Sequence, residues 1–225
     1  APLIKGNIKV YASTDPDFIP EDVPVAMADI SDLKMTIVTN DPAKRYYYTL
    51  LFDDKYRVKI ATRNINIPGV QNFRDLGGYP SYSTKKQMRW GMIYRSAEID
   101  SLECSSRREL KNLGIKTLID LRASSEIGRQ SPLQKGFNVV HIPLATGDME
   151  GILKGIREEK IKCDTVYRMV ERMNRVLIDQ YTKEYRQIFD ILLDKNSYPV
   201  VIHCSSGKGR TGIVSALVLA ALGIN

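Results

Sequence analysis

The chain has 225 residues, 43% of them hydrophobic and 26% charged, with 33 basic against 26 acidic side chains and a formal net charge of +7. That composition excludes a disordered, collagen-like or disulfide-scaffold polypeptide and leaves room for one large domain, or a catalytic domain with a small companion. The basic excess favours anionic partners without separating phosphate esters from nucleic acid or acidic lipid surfaces. Three cysteines, none in a CxxC pair, offer neither a zinc site nor a disulfide framework.

Residues 1–63 read as a small β-rich, sandwich-like domain. The stretches "IKVYAS" (8–13) and "KMTIVTN" (34–40) are short strand-like runs, and "YYYTLLFDDKYRVKIAT" (46–62) reads as a hairpin around Asp53-Asp54-Lys55. Pro16, Pro20, Pro24 and Pro42 punctuate the remainder as loops. Nothing in this part carries chemistry, and a packing or docking role is the plain expectation.

From residue 64 to 225 the pattern changes to alternating strands and helices. "CSSRRELKNLG" (104–114) puts Leu110 and Leu113 on one helix face, with Gly114 as a stop. "IKTLID" (115–120) and "FNVVHIPL" (137–144) follow as strands. A helical period runs over 152–195, where Met169 and Met173 read as core. "PVVIHC" (199–204) is a further strand, and a last apolar run, Gly212 to Ile224, is too short to span a bilayer and reads as a buried helix. This alternation predicts an α/β domain with a parallel-rich sheet flanked by helices. Because a core helix is an unusual last element, further C-terminal elements are expected beyond Asn225. The chain opens without an initiator Met, which favours export, periplasmic or secreted, over a cytoplasmic location that otherwise stays open.

The stretch "HCSSGKGRTG" (203–212) concentrates the chemistry. Ligands of open α/β sheets bind beyond the carboxyl ends of strands, and Cys204 stands at such an end. The residues after it, Ser205, Ser206, Gly207, Lys208 and Gly209, are small, flexible or basic and lead into a helix. Such a loop can aim successive N–H groups inward as an anion nest, and the helix N-terminus adds partial positive charge. Arg210 can return a two-pronged guanidinium to two phosphate oxygens. Helix N-termini and nearby cations favour a cysteine's thiolate, so Cys204 is the expected nucleophile, with Thr211 as a donor to its sulfur. His203 alternates away and is expected as a hydrogen-bonded supporting residue. The bland alternative is a buried free cysteine. A nucleotide-binding P-loop fails on spacing, since no Ser or Thr follows Lys208.

At these residues the chain resembles the cysteine-dependent protein tyrosine and dual-specificity phosphatases. The segments "NFRDLGGY" (72–79), "GMIYRSAEI" (91–99), "LGIKTLIDLR" (113–122) and "YTKEYRQIFDILL" (181–193) narrow this. They are similar to a bacterial tyrosine-phosphatase-like family that includes secreted mycobacterial and listerial lipid and protein phosphatases. The resemblance covers residues 65–225. It implies a cysteine-phosphatase fold, a phosphocysteine intermediate, no metal and no cofactor. It implies as substrate a phosphotyrosine protein or an anionic inositol phosphate or phosphoinositide, not nucleic acid. It also implies a helical lid between residues 149 and 182. One position departs from the family: Gly209 stands where an Asp usually precedes the loop Arg. "GKGR" instead resembles the loop of tensin-type phosphoinositide phosphatases.

Ester cleavage needs a proton donor for the leaving oxygen. In this superfamily an Asp on a loop after a neighbouring strand supplies it, and Asp148, after "VVHIPLATG", is the leading candidate, with an exposed turn as its plain alternative. Asp120 is the rival, for which pairing with Arg122 is the plainer reading. Two further readings stay open: an anion-binding module without turnover, and sulfur transfer or redox chemistry using Cys204 with Cys104 or Cys163.

Overall fold

The computed structural model describes residues 5–38, 44–100, 103–127, 136–145, 149–161 and 163–224. Two sheets organise them. The first is antiparallel, in the order β2-β1-β3-β4, from β1 (Asn7–Ser13), β2 (Ala26–Asp29), β3 (Tyr47–Phe52) and β4 (Tyr56–Ala61). The expected hairpin is β3–β4, closed at Asp53 and Asp54, both with positive φ. Asp is one of the few residues that enter that region at modest cost.

Two expectations for this part need correction. Residues 34–38 form no strand, and Val38 is 87% exposed. β-propensity alone does not make a strand without a pairing partner, and 34–38 pairs with neither outer strand of the sheet, β2 or β4. A sandwich would require two facing sheets. The described residues give one, and its inner face packs Tyr11, Tyr47 and Leu51 against Trp90 from the second part of the chain.

The second sheet has the order β5-β6-β9-β7-β8, from β5 (Arg74–Asp75), β6 (Ile93–Ser96), β7 (Thr117–Asp120), β8 (Asn138–His141) and β9 (Val200–His203). β6, β9, β7 and β8 run parallel, and β5 is an antiparallel edge. Alternation along the strands sends Ile93, Ile119 and Ile202 to one face and Tyr94, Leu118 and Val201 to the other. The first face is covered by Leu177 of α3 (Cys163–Gln180), Ile188 of α4 (Thr182–Leu193) and Val214 and Val218 of α5 (Gly209–Ala221). The second is covered by Leu110 of α1 (Cys104–Asn112) and by Ile67, Val70 and Phe73. Truncating Ile119 or Ile202, both fully buried, to Ala would cost about 2–5 kcal/mol. The result is an α/β fold with a mixed sheet between helices and an N-terminal antiparallel sheet beside it.

The helical period over 152–195 resolves into α2 (Met149–Arg157), α3 and α4. Met169 and Met173, expected as core, are half-buried and lie outside the buried clusters, because α3 commits Leu177 to the core. Among the described residues, no helix is long and apolar enough to cross a membrane.

Candidate functional site

β9 is wholly buried, and the chain leaves its carboxyl end through Cys204, itself 2% exposed, on the face shared with Val200 and Ile202. The next turn runs to Lys208, where α5 begins with its N-terminus close behind the cysteine. Gly207 makes the turn possible: its φ is +67°, and a Cβ there would collide with the Ser96 carbonyl. Gly209 differs, since a Cβ built on it meets nothing within 4 Å.

Arg210, 8% exposed, points back from the first turn of α5. Burial works against its charge, but the Glu126 carboxylate and the Cys204 sulfur overcome this and push its pKa up. Its Nη1 and Nη2 donate to Glu126 Oε2 (2.5 Å) and Oε1 (2.7 Å), and Nη2 also to Ser205 Oγ (3.1 Å). Nη1 lies 3.4 Å from the carbonyls of Leu121 and Leu144. Ser205 Oγ donates to Glu126 Oε1 at 2.6 Å. Arg210 leads the groups that hold the Glu126 carboxyl down to about 2, against the cost of burial and with help from Ser205 and the Ala123 amide. A carboxylate therefore occupies the guanidinium fork.

Glu126 was not singled out in the sequence. The signal was its place: it follows β7, the strand beside β9, six residues after Asp120, so the chain delivers it to the same sheet end as Cys204.

Asp120 reaches that end too but faces another cation. Arg122, 1% exposed, donates through Nε to Asp120 Oδ1 (3.0 Å) and through Nη2 to Asp120 Oδ2 (2.7 Å). Its Nη1 and Nη2 also reach Asp100 at 2.5 and 2.7 Å, and Glu98 lies 3.6 Å away. Burial alone would raise the Asp120 pKa, but Arg122 outweighs it and holds the carboxyl below its usual range.

Two supporting residues differ from expectation. His203 is fully buried with no hydrogen-bond partner on either ring nitrogen; Asp120 Oδ1 is 3.9 Å from Nδ1. Burial pushes its pKa down to about 4, so the ring is neutral at pH 7. Strand alternation puts it on the face shared with Val201, beside the Asp120–Arg122 pair but beyond hydrogen-bond distance of Asp120. Thr211 Oγ1 is also buried without a hydrogen bond, to Cys204 Sγ or any other described atom. Ser206, Lys208 and Gly209 lie exposed on the loop, and Asp148 falls outside the described residues. The described residues contain no group of three or more His, Cys, Asp or Glu side chains that could hold a metal ion.

The "NFRDLGG" turn lies on the far side of the loop. Asn72 Nδ2 reaches the carbonyls of Ser206 (3.2 Å) and Gly207 (3.0 Å). Asp75, fully buried, accepts from the amides of Gly77 (2.7 Å) and Gly91 (2.8 Å) and pairs with Arg45 at 2.7 Å. Arg45 comes from the segment leading into β3 and lies over the ring of Tyr47, 4.7 Å from its centroid. Arg63 donates to the Asp75 carbonyl at 2.9 Å.

This arrangement can be set beside known proteins. Over 181 residues the chain is 31% identical to the triple specificity protein phosphatase PtpB of Mycobacterium tuberculosis, covering 71% of this chain and 64% of that one. A Cupriavidus necator protein bearing a tyrosine-protein phosphatase name is 28% identical over 69% of this chain and 56% of its own. The chain thus spans less than two thirds of the length of either relative. The crystal structure of Pseudomonas aeruginosa TpbA aligns over 62% of this chain and 65% of that one, at 16% identity and a TM-score of 0.33, a likeness too slight to build on. The tyrosine phosphatase family model matches residues 65–225, the stretch that carries the second sheet, the Cys204 loop and Arg210, and the chain belongs to that family.

Proposed function

We propose that the protein hydrolyses phosphate monoesters through a phosphocysteine intermediate. One observation carries this reading: Cys204 lies at the base of a loop whose closing guanidinium, Arg210, already grips a carboxylate in the geometry of a bound oxyanion. The phosphate replaces Glu126 in that fork. The Cys204 thiolate attacks phosphorus in line, the ester P–O bond breaks, and the leaving oxygen takes a proton. Water then attacks the phosphocysteine, gives up its proton, and releases phosphate and thiolate. Arg210 and the loop amides stabilise the equatorial oxygens throughout, so catalysis is positioning and charge stabilisation.

Asp148 is the proposed proton donor. The segment after β8 leaves the same sheet end as Cys204, and the Leu144 carbonyl is already 3.4 Å from Arg210 Nη1. Glu126 is the poorer candidate, since it occupies the fork that the phosphate must enter and is displaced by it. Asp148→Asn is expected to lower kcat by about 10²–10⁴ with KM little changed.

A phosphotyrosine substrate is the leading class. An inositol phosphate or phosphoinositide is the second, supported by the exposed Lys208 in the loop. A non-catalytic anion-binding role has support from Gly209, the position without the family's Asp. The space beside Gly209 admits a side chain, so Gly209→Asp should fold. If a missing carboxylate limits turnover, that variant raises kcat.

The test compares wild type with Cys204→Ser in chelator-containing buffer on p-nitrophenyl phosphate, a phosphotyrosine peptide and a panel of inositol phosphates. Turnover by wild type alone is expected, and the preferred substrate names the class. Phosphate binding by both proteins without turnover would replace the enzyme by a binding module.

A further inference from the structure

Loop amides can converge on an anion only if the intervening carbonyls face elsewhere. In this loop four consecutive carbonyls are already engaged, three from outside the loop and that of Lys208 by the first turn of α5. Ser205 O accepts from the Glu98 amide (3.0 Å) and Lys208 O from the Gly212 amide (2.9 Å). Between them, Ser206 O accepts from Asn72 Nδ2 at 3.2 Å. Gly207 O accepts from Asn72 Nδ2 at 3.0 Å and from Arg95 Nη2 at 2.6 Å. The two central contacts come from side chains more than a hundred positions away in sequence. Among the described residues, none of the amides of 205–211 donates to a protein acceptor.

Both side chains are held for this task. Asn72 has a φ of +57°, a region Asn tolerates better than most residues, and this conformation turns its amide toward the loop. Arg95, on β6, is half-buried beside Arg74, its cross-strand partner on β5. Burial and Arg74 both act against its charge, and the Cys204 sulfur acts for it. Its Nε is buried without a partner, so the contact with the loop carbonyl is the strong one this guanidinium makes.

We propose that Asn72 and Arg95 are positioning residues for phosphoryl transfer. They clamp the peptide planes of 206–208 with carbonyls outward and so keep the amides aimed at the phosphoryl oxygens. This rests on the phosphatase reading of the same loop. Neither residue touches substrate; both act through the backbone between Cys204 and Arg210.

The test uses Asn72→Gly, which keeps the positive φ and removes the donor, and Asn72→Asp, which turns an acceptor toward the carbonyls. Arg95→Lys, which keeps the charge, is paired with Arg95→Met. Three quantities are read on the full chain: the rate of Cys204 alkylation by iodoacetate with its protection by inorganic phosphate, kcat and KM on p-nitrophenyl phosphate, and the unfolding temperature. Cys104, exposed, serves as the internal alkylation control. For Asn72→Gly and Arg95→Met, alkylation of Cys204 is expected to slow, and the phosphate needed for half-protection to rise, each by about tenfold. Their kcat is expected to fall by about a hundredfold. Asn72→Asp falls further, and Arg95→Lys recovers part of the loss.

An unfolding temperature that drops while Cys204 alkylation, phosphate protection and kcat stay within about twofold of wild type would overturn the proposal and leave these residues as fold-stabilising only. If the Asn72 variants fail to fold, the Arg95 pair decides alone. Wild type that neither turns over substrate nor is protected by phosphate defeats the phosphatase reading instead. Alkylation rates still report on the clamp in that case.

Discussion

Two buried arginines lie at the same end of the parallel sheet, and their surroundings separate structure from chemistry. Arg122, after β7, has Asp120 and Asp100 on its guanidinium and Glu98 nearby; Asp120 is itself buried, and each guanidinium nitrogen donates to a carboxylate. Arg210, after β9, has one carboxylate partner, and Glu126 keeps about a third of its side chain in solvent. Arg122 is held by a network of three carboxylates. Arg210 holds one. Asp100 and Glu98 are also partly exposed, so what sets Arg122 apart is the buried Asp120, a partner that cannot leave, whereas on the phosphatase reading proposed above the single partner of Arg210 can.

The largest expected effect breaks the comparison at its centre. Arg210→Met should lower kcat by about a thousandfold while the fold survives, since Glu126 can return to water. Arg122→Met should do the reverse, because it strands Asp120 as a buried, unpaired carboxylate at a cost of about 3–5 kcal/mol. Parallel unfolding and turnover assays on the two variants check this. Similar behaviour of the two would erase the distinction.

Glu126→Gln sharpens the Arg210 side. Without the competing charge, inorganic phosphate should inhibit turnover at a concentration lower by up to about tenfold. The pH dependence has a definite sign. The Glu126 carboxyl is lowered in the fold from 4.5 to about 2, so its stabilisation is present above pH 4.5 and is lost as pH falls toward 2. Acid unfolding curves of wild type and variant should therefore converge across that interval.

A smaller effect belongs to the Arg122 side. His203 neighbours Asp120 and has its pKa lowered from 6.5 to about 4. Between those values the unfolded chain binds a proton that the folded chain refuses, so stability declines as pH falls from 6.5 toward 4. The unfolding temperature of wild type should drop over this range, and His203→Gln should flatten the slope.

The Cys204 loop was legible because its residues are contiguous: Cys204, Gly207 and Arg210 sit together in one short stretch. The strand-helix alternation was legible for the same local reason, and β6 to β9 fall within segments that the sequence marks. Glu126 was not, because an ion pair 84 residues apart leaves no local pattern. Asn72 and Arg95 lay inside motifs that the sequence displayed, but their targets are backbone carbonyls, which no residue type identifies. β2 was missed and "KMTIVTN" read as a strand because edge choice among short β-prone runs depends on neighbours supplied by the whole sheet.

The pairing of Arg45 with Asp75 bears on modularity. The antiparallel sheet near the N-terminus could be taken for a passenger that an engineer might trim away. Yet its leading segment supplies the cation for a fully buried carboxylate three residues beyond Asn72, and its inner face seats Trp90. Cutting the chain after residue 63 would leave that charge without its counterion, directly behind the turn that touches the Cys204 loop. In this protein the unit that keeps its buried charges paired is longer than the stretch that bears the family's motifs.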